Sequence, residues 1–135
     1  MHKYKFGWHG DGGLGERLIQ SILIGKKTAS VCPAYDPVDA DVKEGQEVLL
    51  IDKNGGTRGV LRITRVEHRP FAELDETIAD CDGLSLADLK DKLHYANSRN
   101  IRPEEEMRIV YFELIPTQTP QSKTMVQRLS RWRES

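Results

Sequence analysis

Hydrophobic residues recur at helical spacing near the start of the chain. Between residues 12 and 25, Leu14, Leu18 and Ile22 repeat every four positions, which predicts an amphipathic helix. Gly25 stands where a left-handed C-terminal cap belongs, because only glycine adopts that conformation without steric cost. The pattern therefore predicts a helix that ends in a turn before residue 28.

A second amphipathic helix is predicted after Ser85. Ser85 and Asp88 have the spacing of a capping box, in which a hydroxyl is followed three residues later by an acid. The apolar positions that follow share one helical face: Leu86, Leu89 and Leu93. A further helical segment, from Pro70 through residue 79, is predicted before this helix.

The remaining apolar runs predict strands. Residues 28–32 form a small, β-branched run that stops at Pro33, and residues 48–51 and 59–67 flank Asn54-Gly55-Gly56, a strong hairpin signal. Residues 107–115 are apolar on both faces, as in a central strand or a barrel wall. Together these elements predict the α+β class, with a small, mostly antiparallel sheet or barrel and helices packed on it.

Length and composition narrow the class of protein. The chain has 135 residues, with 20 Lys and Arg against 21 Asp and Glu, which fits one domain and excludes a bulk polycation. No apolar run approaches the roughly 20 residues of a membrane span, and the basic N-terminus lacks the apolar region of a secretory signal. The 2 cysteines, Cys32 and Cys81, form no disulfide framework, so we expect a cytoplasmic protein in which both are small buried hydrophobic side chains.

The near-neutral total conceals two basic ends and an acidic middle. Residues 1–31 and 117–135 each carry a net charge of +3, and the segment between them carries −7. After a linker-like stretch from residue 117, apolar and basic residues alternate as in a basic amphipathic helix: Met125, Arg128, Leu129, Arg131, Trp132 and Arg133. This helix either packs on a protein surface or binds nucleic-acid phosphates through Arg128, Arg131 and Arg133, with Trp132 as a stacking surface.

Two other motifs indicate no cofactor and no metal. Residues 10–15 satisfy G-x-G-x-x-G, but only nine residues precede them and no parallel βαβ pattern follows, which argues against a dinucleotide site. A loop that approaches a ligand or a neighbouring backbone is the better interpretation. The 4 histidines show no metal-ligand spacing.

Gly25-Lys26-Lys27-Thr28-Ala29-Ser30 is the most informative segment chemically. A lysine whose pKa is lowered by burial can take a proton from a nearby hydroxyl and turn it into a nucleophile. Residues three apart on an ideal strand point to opposite faces, so Lys27 and Ser30 meet only if the backbone bends. Without other information, the segment is better interpreted as a basic turn followed by the solvated start of a strand.

Several motifs, in order, resemble the ASCH domain family over residues 4–116. They are Phe6-Gly7, the Gly-Lys-Lys-Thr-Ala-Ser segment, Glu-Gly-Gln-Glu-Val at 44–48, the strand at 61–66 followed by Pro70-Phe71, and residues 79–86. The resemblance implies a PUA-like fold, a small, mostly antiparallel β-barrel with flanking helices, and a cleft for RNA or a nucleoside. Residues 1–116 would form this domain, and residues 117–135 the linker and basic helix.

Small bacterial members of that family are N4-acetylcytidine amidohydrolases, whose Lys-Thr-x-Thr motif resembles residues 27–30. The resemblance implies that Lys27 is the activating base, Ser30 the nucleophile and Asp82 the carboxylate that holds Lys27 or the leaving base in position, with Ser and Asp replacing the family's Thr and Glu. Three neighbours would bind the ligand: Lys26, Thr28 and Cys32, the last standing where the family enzyme has an arginine.

Three functions remain open at this point: hydrolysis of an acylated cytidine amide, non-catalytic RNA binding, and the ribonuclease activity attributed to some ASCH members. RNA or a nucleoside is the expected ligand in each case. No cofactor, metal or membrane is implied, and the oligomeric state is open.

Overall fold

A computed structural model describes residues 2–37 and 40–116 of the chain. The elements of this part are β1 (Lys3–Lys5), α1 (Leu14–Leu23), β2 (Ala29–Pro33), β3 (Glu47–Ile51), β4 (Thr57–Pro70), a 3-10 turn (Phe71–Glu73), α2 (Glu76–Cys81), α3 (Leu86–Asn97) and β5 (Glu106–Ile115). The predicted basic helix and its candidate residues Arg128, Arg131, Trp132 and Arg133 lie outside the described residues. Within these residues, no helix has the length and apolar character needed to cross a membrane.

The strands form one five-stranded sheet in the order β1-β3-β4-β5-β2. β1 runs parallel to β3, and the other three pairings are antiparallel. This arrangement confirms the α+β class, the mostly antiparallel sheet and the central position of β5. The expected closed barrel is not formed, because β1 and β2 remain separate edges among the described strands. β1 has only three residues and pairs with β3 alone, so it offers little backbone with which to close the sheet.

The helix ends follow the sequence signals closely. Gly25 adopts φ 83°, as expected of a left-handed residue after α1. The Ser85 hydroxyl accepts a hydrogen bond from the Asp88 amide at 3.2 Å and begins α3. The segment predicted to be helical from Pro70 through residue 79 is instead interrupted at Leu74, whose extended backbone separates the 3-10 turn from α2. The Asp75 side chain then begins α2 by accepting from the Ile78 amide at 2.9 Å.

The core consists of two apolar clusters, and β5 contributes to both. Val110 and Phe112 belong to the cluster that includes Ile19 and Ile22 of α1. The alternate residues of β5, among them Ile109, join the cluster formed with α2 and α3. Successive side chains of a strand point to opposite faces, so apolar residues on both faces of β5 fill both clusters.

The glycine-rich loop before α1 is built around Asp11, which is buried. Its carboxylate accepts hydrogen bonds from the amides of Gly15, Gly13 and Trp8 at 2.9, 3.0 and 3.2 Å. These bonds lower the pKa of Asp11 to about 2, and the bond from Gly15 has the largest effect. A Cβ atom on Gly15 would lie 2.4 Å from the Cα atom of Gly7. The motif therefore allows two backbone segments to approach each other, which confirms one of the two interpretations drawn from the sequence.

Candidate active site

Lys27 and Asp82 form an ion pair with both side chains fully buried. The Lys27 Nζ atom donates a hydrogen bond to Asp82 Oδ1 and a second, 2.6 Å long, to the carbonyl of Ala29. It also lies 5.8 Å from the centroid of the Phe6 ring. A charge taken out of water is costly unless it is paired and hydrogen-bonded, and Lys27 has both forms of compensation.

Backbone hydrogen bonds bring this pair together. The amides of Lys26 and Lys27 donate to the carbonyl of Ser21 at 2.9 and 3.0 Å, which turns the chain sharply after α1. The amide of Thr28 then donates to the carbonyl of Cys81 at 2.6 Å. Asp82 is the C-terminal cap of α2, so this bond joins the end of α2 to the start of β2. The turn places Lys27 beside Asp82 before the strand begins.

Burial lowers the pKa of Lys27 to about 7, from an ordinary value of 10.5. The positive charge of Lys92 acts in the same direction, whereas the attraction and hydrogen bond of Asp82 act against it. A substantial fraction of Lys27 is therefore a neutral amine at neutral pH. A neutral amine is the form that accepts a proton, which is the property required of a general base.

Lys92 of α3 is a component of the site that the sequence analysis missed. Its Nζ atom donates to Asp82 Oδ1 and Oδ2 at 2.9 and 3.0 Å, and its side chain is 11% exposed. Lys92 lies three residues after Leu89 and directly before Leu93, on the edge of the buried face of α3, but Lys90 has an equivalent spacing to both leucines, so the sequence alone does not single out Lys92. The buried carboxylate thus has two lysines as partners.

Ser30 lines a cleft of about 310 Å3 between the β1–α1 loop, β2 and α3. The lining combines apolar and polar side chains, among them Phe6, Trp8, Leu18, Ser30, Cys32, Lys92 and Asn97. Within the described part of the chain, no hydrogen bond joins Lys27 to Ser30, and Lys27 is not part of the lining. Lys92 does line the cleft, and its hydrogen bonds to Asp82 connect the cleft to the buried Asp82–Lys27 pair.

The candidate ligand-binding residues fall in different places. Cys32 lines the cleft, and the Arg108 guanidinium approaches its Sγ atom from β5 at 3.5 Å. Lys26 is exposed and lines another pocket, of about 250 Å3, that also contains Asp82 and Lys92. Thr28 is exposed, outside the cleft lining, with its hydroxyl 3.4 Å from the carbonyl of Cys81.

A larger depression, of about 810 Å3, lies between α2 and α3 and shares no lining residue with the Ser30 cleft. Its lining is mainly acidic and polar, and includes Glu76, Asp80 and Asp88 as well as Lys26. Among the described residues, no group of three His, Cys, Asp or Glu side chains is placed to hold a metal ion. The Ser30 cleft reaches the buried charge network through Lys92, and the pocket of about 250 Å3 reaches it through Lys92 and Asp82.

Comparison with solved structures identifies the fold. An ASCH domain from Lactobacillus crispatus JV V101 is 17% identical in sequence and superposes with a TM-score of 0.66 over 83% of this chain and 79% of the other. The chain has the ASCH fold. A DUF984 protein from Enterococcus faecalis V583 is 22% identical, with a TM-score of 0.68 over 92% of this chain and 82% of that one. No family model and no curated protein matches the sequence.

The ASCH fold agrees with the resemblance seen in the short sequence motifs. In this chain the motif residues lie close together. Residues 25–30 turn from α1 into β2, Phe6-Gly7 follows β1, and Asp82 ends α2, so all three segments meet around Lys27.

Proposed function

We propose that this ASCH domain hydrolyses an acylated exocyclic amine of a nucleoside, with N4-acetylcytidine as the representative substrate. The observation that supports it best is the fully buried pair of Lys27 and Asp82 beside a cleft that contains a serine hydroxyl. A strongly perturbed lysine next to a cleft is the kind of group that enzymes use as a base.

The proposed reaction is an acyl transfer in two steps. The Ser30 hydroxyl attacks the amide carbonyl, neutral Lys27 accepts the hydroxyl proton, and that proton passes to the departing amine of cytidine. Water then attacks the acetyl ester on Ser30, which releases acetate and restores the hydroxyl. Asp82 holds Lys27 in position throughout. The first step requires the Lys27 amine to reach the Ser30 proton, directly or through one water molecule.

The size of the cleft favours a small ligand over a polymer. A volume of about 310 Å3 is at the lower end of small-molecule pockets, which run from roughly 300 to 1,000 Å3. Its lining is largely apolar, with a few polar groups that include Ser30 and Asn97. This composition suits a flat base with polar edges.

The hydrolase proposal is tested by incubating the protein with N4-acetylcytidine and measuring cytidine and acetate in equal amounts. We expect Ser30→Ala and Lys27→Met to reduce turnover by at least about 100-fold, since each removes a group that acts in bond making. Ser30→Thr retains a hydroxyl and should retain part of the activity. Thr64→Ala removes an exposed hydroxyl of β4 and serves as the matched control. Undiminished release of cytidine by Ser30→Ala would contradict the assignment.

Non-catalytic RNA binding is the second candidate, and the complete burial of Lys27 favours the non-catalytic part of it. A side chain with no exposed surface, outside the cleft lining, is also what a purely structural ion pair requires. This function predicts an affinity for RNA that falls as salt concentration rises, because bound phosphates release counterions. RNA binding without cytidine release, under conditions where the protein is folded, would favour it over hydrolysis.

A further inference from the structure

Trp8 is a large aromatic side chain that is 39% exposed at the edge of the Ser30 cleft. It lies on the loop between β1 and α1 and forms part of the cleft lining. The ring of Tyr95 from α3 packs against it, with the two centroids 6.0 Å apart and the planes inclined by 36°. Tyr95 is absent from the cleft lining, so it supports Trp8 from outside the cleft.

The loop that carries Trp8 is held in place by hydrogen bonds. The Trp8 amide donates to Asp11 Oδ2 at 3.2 Å, and the Asp11 amide donates back to the Trp8 carbonyl, also at 3.2 Å. The close contact of Gly7 with Gly15 anchors the same loop on α1. The indole is therefore positioned before any ligand arrives, which reduces the entropic cost of binding.

We propose that Trp8 is the surface on which a nucleobase stacks when a nucleoside occupies the Ser30 cleft. The nature of the ligand rests on the proposed function, but stacking itself requires no hydrolysis. An exposed indole beside a cleft of nucleoside size offers a π-face, and stacking of a base on an aromatic side chain contributes about 1–3 kcal/mol. This contact would make the site selective for amides attached to an aromatic ring over aliphatic amides.

Polar groups in the same lining suit the edge of a base. The Asn97 Nδ2 atom donates to the carbonyl of Leu93 at 2.8 Å, and within residues 2–37 and 40–116 no donor bonds to its Oδ1 atom, which can therefore accept. Lys92 contributes a donor from the adjoining turn of α3. A flat ring on Trp8 with polar atoms on its edge can use both kinds of group, whereas a saturated ligand of the same volume cannot stack.

Fluorescence provides a direct test, because the chain contains 2 tryptophans, Trp8 and Trp132. A Trp132→Phe variant retains Trp8 as its fluorophore and is titrated with cytidine and, separately, with acetamide as a non-aromatic amide. We expect cytidine to quench Trp8 saturably and acetamide to have no effect. Quenching by neither, or equally by both, would overturn the proposal.

Substitution of Trp8 measures the contribution of stacking. We expect Trp8→Leu to weaken cytidine binding by about 5- to 150-fold, the equivalent of 1–3 kcal/mol, and Trp8→Phe to retain most of the affinity. Binding is measured by calorimetry, and circular dichroism checks that each variant is folded. Tyr35→Leu, at an aromatic residue that is 61% exposed and outside the lining, is the matched control. Equal affinities of the parent and a folded Trp8→Leu protein would contradict stacking.

The outcome also separates this proposal from the hydrolase proposal. Quenching by N4-acetylcytidine in a Lys27→Met, Ser30→Ala, Trp132→Phe protein supports stacking whether or not the parent releases cytidine. If the parent hydrolyses N4-acetylcytidine and Trp8→Leu does so with unchanged KM, the stacking proposal is wrong although the hydrolase proposal stands.

Discussion

Lys92 donates to both carboxylate oxygens of Asp82, at 2.9 and 3.0 Å, while Lys27 contacts Oδ1 of the same carboxylate. One carboxylate cannot neutralise two ammonium groups, so the buried cluster is most stable when one lysine gives up its proton. Lys27 is the lysine that loses its proton more readily, because its side chain has no exposed surface whereas that of Lys92 is 11% exposed. Lys92 thus helps to keep Lys27 in the form that accepts a proton.

Removing the charge of Lys92 should raise the pKa of Lys27. We expect Lys92→Met to move this pKa upward from about 7, because the repulsion that disfavours protonated Lys27 is lost. Lys92→Arg retains the charge and should change the pKa much less. NMR titration of the lysine side chains measures the shift without any need for activity. If the protein is a hydrolase, the rising limb of its pH–rate profile should move to higher pH by the same amount. An unchanged Lys27 titration in a folded Lys92→Met protein would contradict this coupling.

The stability of the fold should depend on pH through Lys27. Its pKa is lower in the folded protein, about 7, than the 10.5 of an exposed lysine. Between these two values the unfolded chain binds a proton that the folded chain does not, so the free energy of unfolding rises with pH. One proton corresponds to a slope of at most about 1.4 kcal/mol per pH unit. Denaturant unfolding at several pH values, compared with Lys27→Met, isolates this contribution. If the free energy of unfolding changes with pH in the same way in both proteins from pH 7 to 10, Lys27 is not the group that causes the pH dependence.

Asp82→Asn should destabilise the protein strongly. The substitution leaves Lys27 buried without its counter-charge, and removal of one partner of a buried ion pair costs about 3–5 kcal/mol. The double variant Lys27→Met, Asp82→Leu replaces the pair by apolar groups and should recover much of the loss. Urea unfolding of the parent, Lys27→Met, Asp82→Leu and the double variant closes a cycle that gives the coupling energy directly. Strictly additive effects would show that the two side chains do not interact.

Gly15→Ala should destabilise the protein, although alanine normally favours a helix by about 1 kcal/mol over glycine. The added Cβ atom would lie 2.4 Å from Gly7 Cα, so the two backbone segments must separate. Overpacking of this kind costs about 1–3 kcal/mol. Ser21→Ala in the same helix adds no atom and is the control. The thermal unfolding midpoint of Gly15→Ala should fall below that of the parent, and a rise would mean that the loop accommodates the methyl group.

Local signals in the sequence predicted the elements better than their assembly. Asn54-Gly55-Gly56 predicted the hairpin, and Ser85 predicted the start of α3, because each depends on residues a few positions apart. β1 was missed, since its three residues become a strand only by pairing with β3. β4 extends to Pro70, beyond the predicted residue 67, because its polar end pairs with the start of β5. The prediction of a closed barrel rested on the family resemblance. No local sequence signal in this chain indicates whether the sheet closes.

The candidate site was predicted in part, for a similar reason. The family motif pointed to Lys27 and Asp82, which the structure places in contact. No single-residue pattern distinguishes Lys92 from Lys90 on the same helix until the orientation of α3 is known. Trp8 stands in a glycine-rich loop whose conformation depends on the buried carboxylate of Asp11. Both residues acquire their roles from packing between elements that are distant in sequence.

The two members of the buried pair are 55 positions apart in the chain. Until α2 has docked against β2, Lys27 is an ordinary solvated lysine, protonated at neutral pH. A nascent or partly unfolded chain therefore carries no reactive amine, and any chemistry at this site begins only when the domain is complete. Folding itself is the step that creates the base.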